Sequence, residues 1–563
     1  MGRLLRELSE RLASAIGALP AKRVTWGLVL LFSVWVVLDV LVFRITGGLN
    51  RSTYDTMVRY RIHAAAPDPR IVIVDIDEAS LARMGKEFGR WPWPRDTLAT
   101  ALDYIEGQEP AAVVWDVVFS DGDRLNPGGD AAFDQAARRS AHSHFSVVRL
   151  PAANDMASQI TRAVLPRMWY RTPAPAPVAP APAAAEPAGS ASAPQVTVAL
   201  IPPALPALAA ARLGFNNGYV DRDGVLRRYR YAEQLADGAV LQSIPLSVLD
   251  AIDGTAGSAL AARASSEFAT GGELIAWRQG ADAYPRVSFA DVFAQAEGAR
   301  PLAPVPGFAG KLVIIGSTAP SLHDIHPTPL SPMQAGVDAL ATALDNAVNQ
   351  RHLAELPRWL QAVVAIALCV AIALWAQLRS VASLAPALFA LPATLMAVSY
   401  LSLNGAPIFL DLHLAAALAL VFLAVLRYWS ALRRNYWCAP PPASTEALAV
   451  WPWLRHGPWL DDALDRLIDA VEKHAPACRV VVCDASVNWP QTLRWPELAR
   501  FAAVVGPVSA MAQARAQLEP ALLRLARRSA EPIVLEHHPD REILAASVFT
   551  AGSNLQKRVT SEQ

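Results

Sequence analysis

The sequence predicts a membrane-held α/β protein. An extracytoplasmic α/β domain on a mixed, mostly parallel sheet is joined to four transmembrane helices and a small α/β module on the cytoplasmic side. Three observations predict this. Four apolar runs are long enough to cross a bilayer, basic residues gather on one side of them, and short β-branched runs alternate with helix-like stretches in the long segment after the first run. The bulk values agree: of 563 residues 53% are hydrophobic and 18% charged, with mean hydropathy +0.24, as in a chain that is part membrane and part globular. Fifty Lys and Arg balance fifty Asp and Glu, so no global field recruits nucleic acid or an acidic substrate. The length suits several domains.

The apolar runs are 24–43, 359–376, 381–403 and 408–426, each near the roughly 20 residues a bilayer requires. The first, "VTWGLVLLFSVWVVLDVLVF", follows Arg3, Arg6, Arg11, Lys22 and Arg23. It is too long for a signal-peptide core and has no small-residue cleavage site behind it, so it reads as a retained anchor. Its basic flank puts segment 1–23 in the cytoplasm. Four spans then place residues 45–356 outside and the chain after the last span inside. Arg379 in the loop between the second and third spans agrees, as do Arg427, Arg433 and Arg434 after the fourth. The expected address is an inner membrane, with the large domain in the periplasm, both termini cytoplasmic and the lipid bilayer as a partner. The outer segment has no cysteine, so its core must hold without disulfides. Cys478 and Cys483, with no second pair or flanking His, make a poor zinc site and read as buried thiols bracketing a strand.

In residues 45–356, "RIVIVDI", "AAVVWDVVF" and "KLVIIGS" read as buried strands in a βαβ rhythm. Asp221-Arg222-Asp223-Gly224, flanked by alternating residues, predicts a hairpin. Residues 173–194, rich in Pro and Ala, read as a semi-rigid surface insertion.

The candidate site residues lie where these strands end. Asp75 and Asp77 are two apart and so share a face, Glu78 follows, and strand C-terminal ends are where open α/β sheets bind ligands. Asp116, Asp121 and Asp123 follow the second strand, Ser317 and Asp324 the third. These carboxylates can gather into a site for a cation or polar ligand. Equally, each can cap a helix or pair with an arginine such as Arg95. His323, Asp324 and His326 lack a third ligand at helical spacing, so no metal site is expected. "GSTAP" lacks the Lys and glycine spacing of a phosphate loop. Trp91, Pro92, Trp93 and Pro94 form a rigid elbow that opens a helix and aims Arg95, with Asp75 and Asp77 as its expected targets.

Taken together, "YDTMVRYR", "DPRIVIVDIDEASLARMG", "GRWPWPRD", "AAVVWDVVFSDGD", "NNGYVDRDGVLRRYR" and "GKLVIIGSTAPSLHDIHPTPLSPMQAGVDALATALDNAV" resemble the CHASE-type extracellular sensory domain, type two, of bacterial receptors. The resemblance runs from about residue 51 to 348. It extends to the layout of one span before the domain and three after it. Where the family pattern usually has a His after "GV", this chain has Asp338. The resemblance implies a sensor of an unknown extracytoplasmic ligand in transmembrane signalling.

After the spans at 358–426 come a Pro-rich hinge, 427–444, and a module at 445–563. In the module "WLDDALDRLIDAVEKH" reads as a helix, "RVVVCD" and "PIVLEHH" as strands, and "AQARAQLEPALLRLARRS" as a helix carrying Arg515, Arg524, Arg527 and Arg528. No cyclase, kinase-loop or phosphate-loop signature is legible there, so no catalysis and no cofactor are expected. The expected function is that of a receptor or adaptor relaying a stimulus to a cytoplasmic partner protein; a homodimer is compatible with this. The alternative is a receptor enzyme whose module is a divergent nucleotide cyclase.

Overall fold

The computed structural model describes residues 14–43, 45, 47–161, 165, 168–170, 197–235, 238–266, 271–278, 280, 283–378, 381–406, 408–438, 446–453, 459–484 and 500–506. The Pro/Ala-rich insertion and the elements expected at 512–538 lie outside them. The chain divides into two compact units, one of residues 49–356 and 400–410, the other of 1–48, 357–399 and 411–563.

The first unit is built on a seven-stranded sheet. Its inner strand β1 (Ile71–Asp75) is buried along its whole length, as a strand covered on both faces must be. The helices α1 (Glu78–Phe88) and α2 (Arg95–Glu106) lead to β2 (Ala112–Val118), and α3 (Pro127–Arg139) leads to β3 (Ser143–Arg149). Further along come β4 (Arg212–Phe215), α4 (Ile244–Ile252), β5 (Arg286–Ser288), α5 (Phe289–Ala296) and β6 (Leu312–Gly316). The order is β5-β1-β6-β2-β3-β4 with all neighbours parallel. The mixed character comes from Leu200–Ile201, antiparallel to β3. Val72, Val74, Val113, Trp115, Val313 and Ile315 pack with Leu98, Leu102, Phe133 and Phe289 into the core on one face. Residues one step along, such as Ile73 and Ile314, belong to the other face, where α6 (Gly336–Val348) packs against β1 and β6. A short hairpin of β7 (Ile325–His326) and β8 (Gln334–Ala335) connects β6 to α6.

The expected hairpin at 221–224 is a turn without strand arms. The Gly224 amide donates to the Asp221 carbonyl (2.9 Å) and Gly224 has φ +81°, but Arg228–Tyr229 pairs instead with Glu273–Leu274. Charge decides this: the turn closes around the buried Arg227 guanidinium, which takes Asp221 (2.7 Å) and Asp223 (2.8 Å).

The second unit contributes most of the four helices long and apolar enough to cross a membrane: Ala21–Phe43, Arg358–Leu378, Ala387–Gly405 and His413–Trp437. The third starts later than expected from 381 because Pro386 disfavours helix at the residue before it; Val381–Leu384 forms a separate 3-10 turn. The fourth starts at His413 because Ile408–Phe409 is drawn into a parallel pair with Ala354–Glu355. Val36, Cys369 and Phe422 sit at the centre of the apolar cluster in this unit. Asp39, 2% exposed, accepts from the Ile45 amide (2.8 Å). Beyond the spans, strand Arg500–Gly506 lies between Glu446–Trp453 and Arg479–Asp484 in an antiparallel sheet, beside helix Trp459–His474. Arg433 pairs with Asp469 (2.7 Å) and Glu472, and Arg434 with Asp465 (2.7 Å), which ties the fourth long helix to this one.

Candidate functional site

A cavity of about 380 Å³ opens at the C-terminal ends of β1, β6 and β2. Strand ends of a parallel sheet carry side chains that lack a following ladder partner, and they converge where adjacent crossovers separate. Ile76, Ser317 and Asp116 reach the cavity from those three strands, Asn216 from beyond β4, and Asp324 and His326 from the β7–β8 hairpin. Trp91 closes one side.

Asp116 is the unusual group. Its Oδ1 accepts from Asn216 Nδ2 (2.6 Å), and the Asn216 Oδ1 accepts from the Tyr229 hydroxyl (2.9 Å). Its Oδ2 is buried with no hydrogen-bond partner. Burial, aided by the nearby charge of Asp324, pushes its pKa up to about 7. His326 Nε2 lies 3.3 Å from Asp324 Oδ1, and that bond raises the imidazole pKa. Gly336 makes room for the pair: a Cβ there would stand 2.3 Å from Asp324 Oδ2.

The other expected acids have structural partners. Asp75, 5% exposed, accepts from the Thr318 amide (2.9 Å) and hydroxyl (2.6 Å), and burial raises its pKa. Asp77 caps α1 by accepting from the Ser80 amide (2.6 Å), and Glu78 accepts from the Ser321 amide (3.1 Å). Ser317 donates to the Ile76 carbonyl (2.8 Å). Asp123 accepts from the amides of Leu125 and Asn126 (both 3.0 Å), while the Asp121 carboxylate takes the Ser120 hydroxyl (3.0 Å). The single acidic cluster therefore divides: Asp116, Ser317 and Asp324 line the cavity, and Asp75, Asp77, Glu78, Asp121 and Asp123 are used in turns, caps and ion pairs.

Arg95 does not reach Asp75 or Asp77. It pairs with Asp130 (2.5 Å), donates to the Asp121 carbonyl, and lies over the Phe119 ring at 5.6 Å. The cation at the end of β1 is Arg286, at 3.6 Å from Asp75 and 2.6 Å from Asp338. The elbow packs inward, with Trp93 2% exposed against Phe289 (5.5 Å) and edge-on to Trp91 (4.9 Å). His326, Asn216, Tyr229 and Arg286 were missed as site residues. "HDIHP" did flag His326, but only as a metal ligand. Among the described residues no group of three or more His, Cys, Asp or Glu side chains is placed to hold a metal.

The cavity rim is joined to other segments of the same unit. Leu226, which lines the cavity, donates its amide to the Pro327 carbonyl (2.8 Å) in the loop after β7. Its neighbour Arg227 grips Asp55 with two bonds of 2.7 Å. Asp55 lies on helix Gly47–Arg59, which follows the first long apolar helix in sequence. Arg59 Nε donates to Pro329 (3.3 Å), and Tyr54 meets the Phe409 ring edge-on at 5.1 Å.

A family model described as the CHASE2 domain matches residues 28–376. No curated protein and no solved structure matches the chain.

Proposed function

The chain belongs to the CHASE2 domain family, an extracellular sensory domain of signalling receptors, and on that premise we propose that it is a multi-pass inner-membrane receptor or adaptor. Its large domain senses an extracytoplasmic stimulus from the periplasmic side. Both termini are cytoplasmic, and the module after the fourth span hands the signal to a partner protein. One observation carries the reading: Leu226, which lines the cavity at the strand ends, is followed directly by Arg227, whose ion pair with Asp55 holds helix Gly47–Arg59. A ligand that shifts Leu226 acts on the residue next to a buried guanidinium held by three carboxylates, those of Asp55, Asp221 and Asp223. Interfaces of this kind switch between discrete arrangements and do not deform smoothly.

The test is hydrogen exchange on the full chain in lipid nanodiscs, comparing wild type with Gly218→Leu. Gly218 lines the cavity, and a Cβ there would meet only the His326 ring, at 3.6 Å, so the larger side chain fills the space without backbone strain. Altered protection across helix Gly47–Arg59 is expected. Protection changed only around the cavity would overturn the reading.

A further inference from the structure

The charges lining the cavity limit what can occupy it. Among the described residues that line it there is no Lys or Arg. His326 is the one group able to carry positive charge, and it is already engaged by Asp324 at 3.3 Å. That pair is neutral overall when His326 is protonated, which leaves the second carboxyl, Asp116, without a compensating cation. An anionic ligand would meet net negative charge in a half-buried site and would be repelled. The rest of the lining mixes apolar side chains, Leu226, Leu322, Leu340 and Trp91 among them, with the uncharged polar groups of Asn216, Tyr229 and Ser317. The unpartnered Asp116 Oδ2 is a lost hydrogen bond that, once the carboxyl is ionised, a donor restores. An aromatic side chain and carboxylates in one cavity suit a cation that carries an apolar body. A hard metal ion is a poor fit, because it would need several oxygen ligands and no such group is placed among the described residues.

We propose that the cavity binds a small organic ammonium ion, whose N–H groups are met by Asp116 and Asp324 and whose apolar body lies between Trp91 and the leucines. This rests on the cavity being the sensing site. It also makes binding proton-linked. Asp116 faces Asn216 and Tyr229 on one side and Asp324 and His326 on the other, and it must lose its proton to pair with the ligand. With the free carboxyl titrating near 7, affinity should be flat above that pH and fall about tenfold per unit below it.

The experiment is calorimetric titration of the full chain in nanodiscs with 2-phenylethylamine, its neutral counterpart 2-phenylethanol, and the anion 3-phenylpropionate. The amine should bind saturably, at least tenfold more tightly than the alcohol, with the anion not binding. Asp116→Asn, which keeps the size of the side chain and can still accept from Asn216, should abolish the preference for the amine and the pH dependence. Alcohol and amine binding equally, both lost in Gly218→Leu, would overturn the cationic class and leave the sensing cavity standing. Binding of neither, or a calcium ion binding in place of the amine, would overturn the proposal. The sensing reading fails separately, through unchanged exchange of helix Gly47–Arg59 in Gly218→Leu.

Discussion

At the end of β2, Asp116 gives one oxygen to Asn216 and keeps the other buried without a donor, and its pKa rises from 3.8 to about 7. Because the folded pKa lies above the unfolded one, the folded state holds an extra proton between these values. The stability this group contributes is complete below about pH 4 and is lost as pH rises through about 7. Asp116→Asn, neutral at every pH, should therefore raise the melting temperature at pH 8 and change it little at about pH 4. A lower melting temperature at pH 8 in scanning calorimetry would contradict this. The same scale shows what the sequence could not reveal. Asp116 was legible as an acid at a strand end, since strand and alternation are local properties. The partner of Asp75 was not, because Arg286 comes from a strand 211 residues further along that lies beside β1 only through the sheet order. Arg95 is near in sequence, but the elbow turns it toward Asp130 at the start of α3.

Among the elements, α6 joins the cavity to the rest of the domain. Its first residue, Gly336, lies under Asp324. Gly336→Ala should drive the carboxylate off His326 and cost about 1–3 kcal/mol, the usual range for overpacking. Urea unfolding of the variant measures this, and an unchanged midpoint would contradict it. At the other end, Asp345, fully buried, accepts from Arg278 (2.9 Å), Tyr284 (2.9 Å) and the Asp68 amide (3.1 Å). Removing one partner of a buried pair leaves an uncompensated charge, so Asp345→Ala should cost about 3–5 kcal/mol, read from the same denaturation curves. Strands and helices of the sheet were legible because β-branched runs and helical spacing are strong local signals. The turn at 221–224 was legible as a turn but not in its use: its acids look like turn formers in sequence, whereas in the fold they hold Arg227, which also takes Asp55 from 172 residues away.

For the whole molecule, the charge asymmetry predicts that reporter fusions at Pro180 and after Arg434 will report opposite sides of the membrane; the same side for both would break the four-span topology. The purified full chain should show no ATP or GTP turnover, and measurable turnover would favour the divergent cyclase. The four long apolar helices were legible because hydropathy acts over whole segments, while the start of the third depended on Pro386 and that of the fourth on a strand pairing. The central proposal is that the cavity is read through Arg227 by helix Gly47–Arg59, and a double-mutant cycle tests this directly. Opening free energies of that helix are measured by hydrogen exchange in nanodiscs for wild type, Gly218→Leu, Asp55→Asn and the double variant. If the cavity and the ion pair form one connected device, the two effects should depart from additivity by at least about 0.5 kcal/mol. Additive effects would show that the helix does not sense the cavity through this pair.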